Sequence, residues 1–319
     1  MNFYNVCDLV LSSNIPIVEL LPATSHQPDC HFYFYATHDY DFAPHHWIHI
    51  WDFPDGSSWL RIAKTQAGFV LRFPELADFL LSSDAQKVEC YSHANIPIDT
   101  IKHLLLDQVI PLLLNQRGKF VLHAGAVVLP GGAIAFLGAS GFGKSTLTAS
   151  FSQQGFPMLT DECVLLEEKN GEMLVIPSYP GLRLWPENVA ALLSQEIELS
   201  EVAHYSSKKR LGWDTGHLNY SNMRVPLCRL YVLSDPDAEL DSLEVRIEPL
   251  SPHRAYMEIF KHTFHLDITD HQRLAKEMGE LSRLTALGLV YQLTYPRELA
   301  LLPQVREKIL QHVNYLSTI

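Results

Sequence analysis

The sequence predicts an α/β protein: a P-loop core preceded by a small β-rich N-terminal domain. Three observations carry this prediction. Residues 133–151 read as a short apolar strand, a glycine loop and the start of a helix. The first hundred residues hold β-branched and aromatic runs separated by turn residues. From Asp99 onward, apolar residues recur at helical spacing. The expected division is 1–98 for the β-rich domain and 99–319 for the P-loop domain.

In the first part, His31–Tyr35, Trp47–Trp51 and Phe69–Phe73 are strand candidates, and Asp52–Ser57, with Pro54 and Gly56, is a turn. Asp99-Thr100 offers a helix cap. Leu104, Leu105, Val109, Leu112 and Leu113 then follow a helical face, with Pro111 expected to kink the helix or mark its restart. Phe120–Val128 returns to a strand pattern, and Pro130-Gly131-Gly132 turns the chain into the apolar run Ala133–Leu137.

That run leads into Gly138-Ala139-Ser140-Gly141-Phe142-Gly143-Lys144-Ser145, followed by Thr146. The eight residues fill the pattern G-x-x-x-x-G-K-[ST] at every fixed position. From average residue frequencies a chain of this length meets the pattern by accident about once in a hundred cases, so the match is informative. The pattern describes a device. Glycines let backbone N–H groups point inward at phosphate oxygens, and the following helix N-terminus adds partial positive charge. Lys144 can reach the β- and γ-phosphates, and the Ser145 hydroxyl can ligate magnesium.

After the loop helix, which ends before Gly155-Phe156-Pro157, strands are expected at Met158–Thr160, Val164–Leu166 and Met173–Ile176, with Asn170-Gly171 as a hairpin turn. Tyr179-Pro180-Gly181 reads as a turn, and Trp185-Pro186-Glu187 as a helix start with proline in the first turn. Leu227–Leu233 and Leu243–Ile247 read as late strands. Ser251-Pro252 and Asp267–Asp270 start helices, Val290–Leu293 is a strand, and a closing helix is expected from about Arg297. No internal repeat or low-complexity tract is present.

The chain has 319 residues, 47% hydrophobic and 19% charged, as expected of a packed protein. Its formal charge of −12 argues against broad nucleic-acid binding. No run of about eighteen apolar residues exists, so no spanning helix is expected and no membrane partner. The N-terminal residues lack a basic region and an apolar core. Five scattered cysteines with no C-x-x-C pair fit a reducing cytoplasm.

Four groups of polar residues bear on chemistry. Asp161-Glu162 lies at the end of an apolar strand that returns directly from the loop helix, which brings carboxylates to the loop's mouth; the bland alternative is a solvated acidic turn. His123 opens an apolar run. Alone it reads as a core or turn residue, but a strand beside the loop strand brings it to the acidic pair, where it can orient a carboxylate or accept its proton. Lys208-Lys209-Arg210 is either a solvated face or a mobile cationic loop in which Lys209 and Arg210 stabilise charge on a transferring phosphoryl group, with Arg183 a weaker candidate for the same work. His45, His46 and His49 form a cluster that no carboxylate or cysteine set completes, and it reads as a polar β surface rather than a metal site.

Together, Leu122–Val128, Gly138–Ser145 and Thr160-Asp161-Glu162 resemble the HPr serine kinase/phosphorylase family, whose kinase fold is related to phosphoenolpyruvate carboxykinase. Leu105–Pro111, Leu182–Pro186 and Tyr291–Pro296 resemble more closely the HPr kinase-related proteins found beside bacterial peptide-modification genes, some of which phosphorylate lasso-peptide precursors. The resemblance covers roughly residues 100–316. It implies ATP and Mg²⁺ as cofactors, with Lys144 on the β/γ-phosphates and residues 138–146 as the nucleotide loop. Ser145 and Asp161 would hold magnesium, Glu162 would act as base and His123 would support it. It also implies a homo-oligomer, since the family forms rings. This chain has Glu162 where the family has aspartate, and it lacks the glycine- and glutamate-rich signature of HPr kinases themselves.

The sequence thus leads to an ATP-dependent kinase acting on a hydroxyl, with a serine of a peptide or protein as the expected acceptor. Two alternatives stay open. One is an NTP hydrolase or small-metabolite kinase, and the other is a non-catalytic nucleotide-sensing module.

Overall fold

The computed structural model describes residues 1–36, 44, 46–53, 55–193, 197–236 and 244–316. It is a mixed α/β structure that divides into two compact units.

The first unit comprises Met1–Lys119 with two later excursions of the chain, Val202–Ser206 and Phe264–Lys276. Its nine-stranded sheet runs in spatial order Leu21–Pro22, Asn2–Val6, Leu9–Ser13, Cys30–Tyr35, Lys87–Ser92, Ala77–Ser82, Gly68–Phe73, Ser58–Thr65 and His49–Asp52. Neighbours are antiparallel except that Cys30–Tyr35 runs parallel to both of its own. Cross-strand partners Arg72 and Asp78 form an ion pair at 2.6 Å, which compensates the fully buried aspartate.

The expected boundary between residues 98 and 99 differs from this grouping, which keeps the following helices with the sheet. The reason is chemical. Gln116 Nε2 donates to Ser82 O at 2.8 Å, Arg117 donates to Ala85 O, and Asn115 Oδ1 accepts from Leu266 N at 3.0 Å. Lys64 and Asp267 add an ion pair at 2.6 Å. Pro111 leaves its mark just upstream. Helices Ile98–Leu104 and Ile110–Gln116 are joined by a π-helical turn at Leu105–Val109, which widens the backbone around the carbonyl of Asp107 that the proline cannot satisfy.

The second unit comprises Phe120–Glu201, Ser207–Thr263 and Glu277–Ile319. Two long strands organise it. Phe120–Leu129, the histidine strand, pairs through Phe120–His123 with Cys163–Leu166, then through Ala124–Leu129 with the loop strand Gly132–Leu137. Val225–Leu233 pairs at its start with Glu172–Ile176 and then runs parallel to the loop strand. Because Cys163–Lys169 pairs with Glu172–Ile176, the ladder closes on itself and these strands expose no open edge to one another. Asn170 and Gly171 both take positive φ in the hairpin between them, as an Asn-Gly turn requires. Val290–Thr294 and Arg246–Pro249 extend the sheet outward. Met158–Thr160 lies against the histidine strand.

Several expectations shift. The basic run is part of a strand, Ser206–Gly212, antiparallel to Gly181–Leu184, rather than a cationic loop. The closing helix is Leu302–Leu316, preceded by a 3₁₀ turn at Leu299–Leu301, not a helix from Arg297. Pro303 sits in its first turn, where a missing N–H costs nothing. The strand expected at Leu243–Ile247 is Arg246–Pro249, with Leu243 outside the described residues. Helix His271–Ala286 is capped by Asp270 Oδ1, which accepts from Arg273 N at 3.0 Å. All five cysteines are free thiols. Among the described residues, no helix is long and apolar enough to cross a membrane.

Candidate functional site

The site is built on the second unit, where the loop strand ends at Leu137 and the helix Lys144–Ser152 begins. Between them Gly141 and Gly143 take φ of +87° and +93°, values that L side chains resist, so these two positions need glycine. Gly143 is the residue that caps the helix. The helix reaches this place because position 125 in the histidine strand is glycine. A Cβ there would stand 2.4 Å from Thr148 Oγ1, so any larger residue would force the Thr148 side chain to move.

Lys144, almost fully buried, donates to Gly138 O at 2.8 Å and Ala139 O at 3.1 Å. Burial lowers its pKa to about 8; Asp161 opposes the shift, while Lys208 and Arg183 add to it. The lysine is therefore charged but poorly solvated, and an anionic ligand would relieve it.

Thr160 ends its strand with Oγ1 accepting from Glu162 N at 3.3 Å and Cys163 N at 3.2 Å. This turn holds Asp161 and Glu162 out of the strand in a fixed order. Asp161 is 1% exposed, and its Oδ2 accepts from Arg183 N at 3.0 Å. Oδ1 is buried and has no well-formed hydrogen bond among the described residues. Burial raises the Asp161 pKa, against the Arg183 charge, the Arg183 N–H, the nearby Ser145 hydroxyl and Lys208, which all favour the carboxylate.

Glu162 is clamped at both oxygens. Oε2 lies 2.9 Å from His123 Nδ1, and Oε1 lies 2.8 Å from Arg183 Nη2. His123 is fixed in turn, since its backbone N–H donates to His262 O at 2.7 Å. His262 is pushed down to about 4, first by burial and then by the charges of His123 and Lys144, so it stands neutral beside the site.

The structure thus brings together Lys144, Ser145, Asp161, Glu162, His123 and Arg183. Arg210 is the cross-strand partner of Arg183 and equally buried, at 2% exposure each. Lys209 is not brought in. Its side chain alternates to the opposite face of the strand and pairs with Glu201. The neighbour on the Arg210 face is Lys208, whose charge acts on both Lys144 and Asp161 and whose Nζ lies 5.2 Å from the Trp185 ring centroid. Sequence reasoning missed Lys208 because the run read as a solvated face or a mobile loop; a strand reading would have singled it out with Arg210 by alternation. It also missed His262, which arrives from a distant segment with no local pattern to mark it.

Of the histidine cluster, His45 lies outside the described residues, and His49 packs edge-on against Trp51 with ring centroids 4.0 Å apart. Among the described residues, no group of three or more His, Cys, Asp or Glu is placed to hold a metal ion. Ser145 and Asp161 are an oxygen pair of the kind that holds magnesium when phosphates supply further ligands.

Compared with known proteins, the chain matches no family model and no curated protein. Among solved structures it is similar to the Hpr(Ser) kinase/phosphatase from Coxiella burnetii. That match has 16% identity and a TM-score of 0.31, over 60% of this chain and 97% of the other.

Proposed function

We propose that this protein is an ATP-dependent phosphotransferase whose acceptor is a hydroxyl, read as a serine of a peptide or protein. The observation that carries the reading is a convergence at the end of one glycine loop. A desolvated lysine, a buried carboxylate with an unsatisfied oxygen and a second carboxylate held by His123 and Arg183 are linked by contact or by field. Phosphoryl transfer asks a protein chiefly for positioning and charge neutralisation, and these residues are suited to both.

In this reading the loop amides and Lys144 grip the phosphates. Ser145 and the spare oxygen of Asp161 fit magnesium, which would neutralise phosphate charge when bound. Glu162 takes the proton of the acceptor hydroxyl, and His123 and Arg183 keep its carboxylate aimed. Arg210 and Lys208 supply further positive charge beside the carboxylates. The serine acceptor draws support from the motif-level resemblance to HPr serine kinases; the geometry itself asks only for a hydroxyl.

Calorimetry with Mg²⁺-ATP and γ-phosphate labelling of candidate acceptor peptides test the proposal. Binding that Lys144→Ala abolishes, with label transferred to an acceptor hydroxyl, is the expected result. Release of free phosphate alone makes the protein a hydrolase, and no heat with ATP or GTP removes the reading altogether.

A further inference from the structure

A cleft of about 180 Å³ lies wholly within the first unit, and the phosphotransferase reading gives none of its residues a task. Its walls come from the hairpin between Ser58–Thr65 and Gly68–Phe73, from Gln116 at the end of its helix, and from Asp267, Asp270 and Arg273. The volume is the liquid share of about six water molecules, so the space suits a compact solute rather than a drug-sized one.

The walls are fixed by hydrogen bonds. Thr65 Oγ1 donates to Gly68 O at 3.2 Å, and Ser83 N donates to Ala67 O at 2.8 Å, which pins the hairpin tip to the next turn. Gln116 Nε2 donates to Ser82 O at 2.8 Å and Ser83 O at 3.2 Å. Asp270 Oδ1 accepts from Arg273 N at 3.0 Å, in the first turn of the helix His271–Ala286.

Two polar atoms of the lining residues are unspent. Gln116 Oε1 and Arg273 Nη1 are buried and have no well-formed hydrogen bond among the described residues. Because two carbonyls orient the Gln116 amide, its oxygen is the group left to accept. Arg273 Nε stands 4.0 Å from Asp270 Oδ2, too far for a hydrogen bond. Lys64 and Asp267, by contrast, pair directly at 2.6 Å. A buried donor and a buried acceptor left unmade are costly, and a ligand supplying both partners relieves them.

The charges narrow the ligand. Lys64 and Arg273 stand against Asp267 and Asp270, so the lining is neutral as a whole. A net-charged ligand would upset that balance, and a zwitterion would not. The arginine fork matches a carboxylate, while an ammonium needs acceptors such as Gln116 Oε1 and Asp270. Phe69, 7% exposed, adds apolar surface for a short side chain. One water could bridge a single donor and acceptor, but it would fill about a sixth of the space.

We propose that this cleft binds a free α-amino acid with a short side chain, its carboxylate on Arg273 and its ammonium on Gln116 Oε1 and Asp270. The proposal is independent of the phosphotransferase reading, and neither falls with the other.

Saturation-transfer NMR on the full chain tests it, with glycine, L-alanine and L-serine as probes. Acetate and ethylamine carry the two charges singly and serve as controls. At least one amino acid should bind with a Kd of about 1 mM or below, and both controls at least about tenfold more weakly. Arg273→Met, shown to be folded by circular dichroism, should lose about tenfold or more in amino-acid affinity. In the parent, hydrogen exchange with the bound amino acid should show new protection in residues 65–69 and 267–276, a readout that does not depend on the variant folding. No amino acid binding at about 20 mM overturns the proposal and leaves the cleft to water. Controls that bind as tightly as the amino acids overturn the zwitterion assignment. Parent affinity in folded Arg273→Met, or protection only outside those two segments, overturns the cleft as the site.

Discussion

His123 Nδ1 lies 2.9 Å from Glu162 Oε2, across two strands that pair in register at His123 and Cys163. The neighbour of Cys163 in the chain is Glu162, so one backbone ladder sets the separation of histidine and carboxylate.

This relationship sets the first expectation. If Glu162 is the base of the proposed reaction, Glu162→Gln keeps the shape and loses the base, so phosphoryl transfer should fall by roughly 10²–10⁴-fold, with Mg²⁺-ATP affinity unchanged by calorimetry. His123→Ala should cost less, about 10–10²-fold, because Arg183 still holds the other oxygen. A Glu162→Gln enzyme with full turnover would show that the proton goes elsewhere.

Lys144 sets a pH dependence of binding. Its pKa in the free protein is lowered to about 8, chiefly by burial. A bound polyphosphate favours the ammonium and raises that value. Binding at pH 8.5 should therefore take up protons, and affinity should decline as pH rises above about 8. Calorimetry in two buffers of different ionisation enthalpy reads the uptake directly. Proton release, or no buffer dependence, contradicts the assignment.

Gly125 sets a packing expectation. Gly125→Ala places a methyl 2.4 Å from Thr148 Oγ1, an overpacking worth about 1–3 kcal/mol. Thermal and urea unfolding should show the loss, and Gly125→Ala with Thr148→Ala should recover part of it. Additive losses in the double variant would mean that the two positions do not meet.

His262 sets a stability expectation. Its folded pKa is pushed down to about 4 from the ordinary imidazole value of 6.5, so between those pH values the unfolded chain binds a proton that the folded chain does not. Stability from this group is full above about 6.5 and is lost as pH falls toward 4. His262→Gln should flatten the difference in urea midpoint between pH 7 and pH 5. The same difference in parent and variant would assign the effect to other groups.

Much of the second unit was legible in the sequence. Glycine spacing, strand–loop–helix order and a hairpin signalled by Asn170-Gly171 are local signals, and local signals survive into the fold. The acidic pair was legible for the same reason, since Thr160 turns the chain at the end of the strand that follows the loop helix. The strand Ser206–Gly212 was not, because three successive cations hide the alternation that would mark one face as buried. The helices after Ile98 were legible as helices but not as part of the first unit, because their partners, Ser82, Ala85 and Leu266, lie far away in the chain. Arg297 reads as the start of a helix; the approach of its guanidinium to within 4.3 Å of the Tyr295 ring centroid is a tertiary relationship with no sequence period.

The histidine strand has a consequence for folding quality. Its first half sets the position of His123 against Glu162, and its second half sets the loop strand that delivers Gly138. A slip of one residue would turn His123 to the opposite face and displace the ladder that leads to the loop. Both halves of the proposed site would be lost in one step. On the proposed reading, a population of these molecules should hence be divided between competent and inert, with no species that keeps the glycine loop in place yet misplaces its histidine.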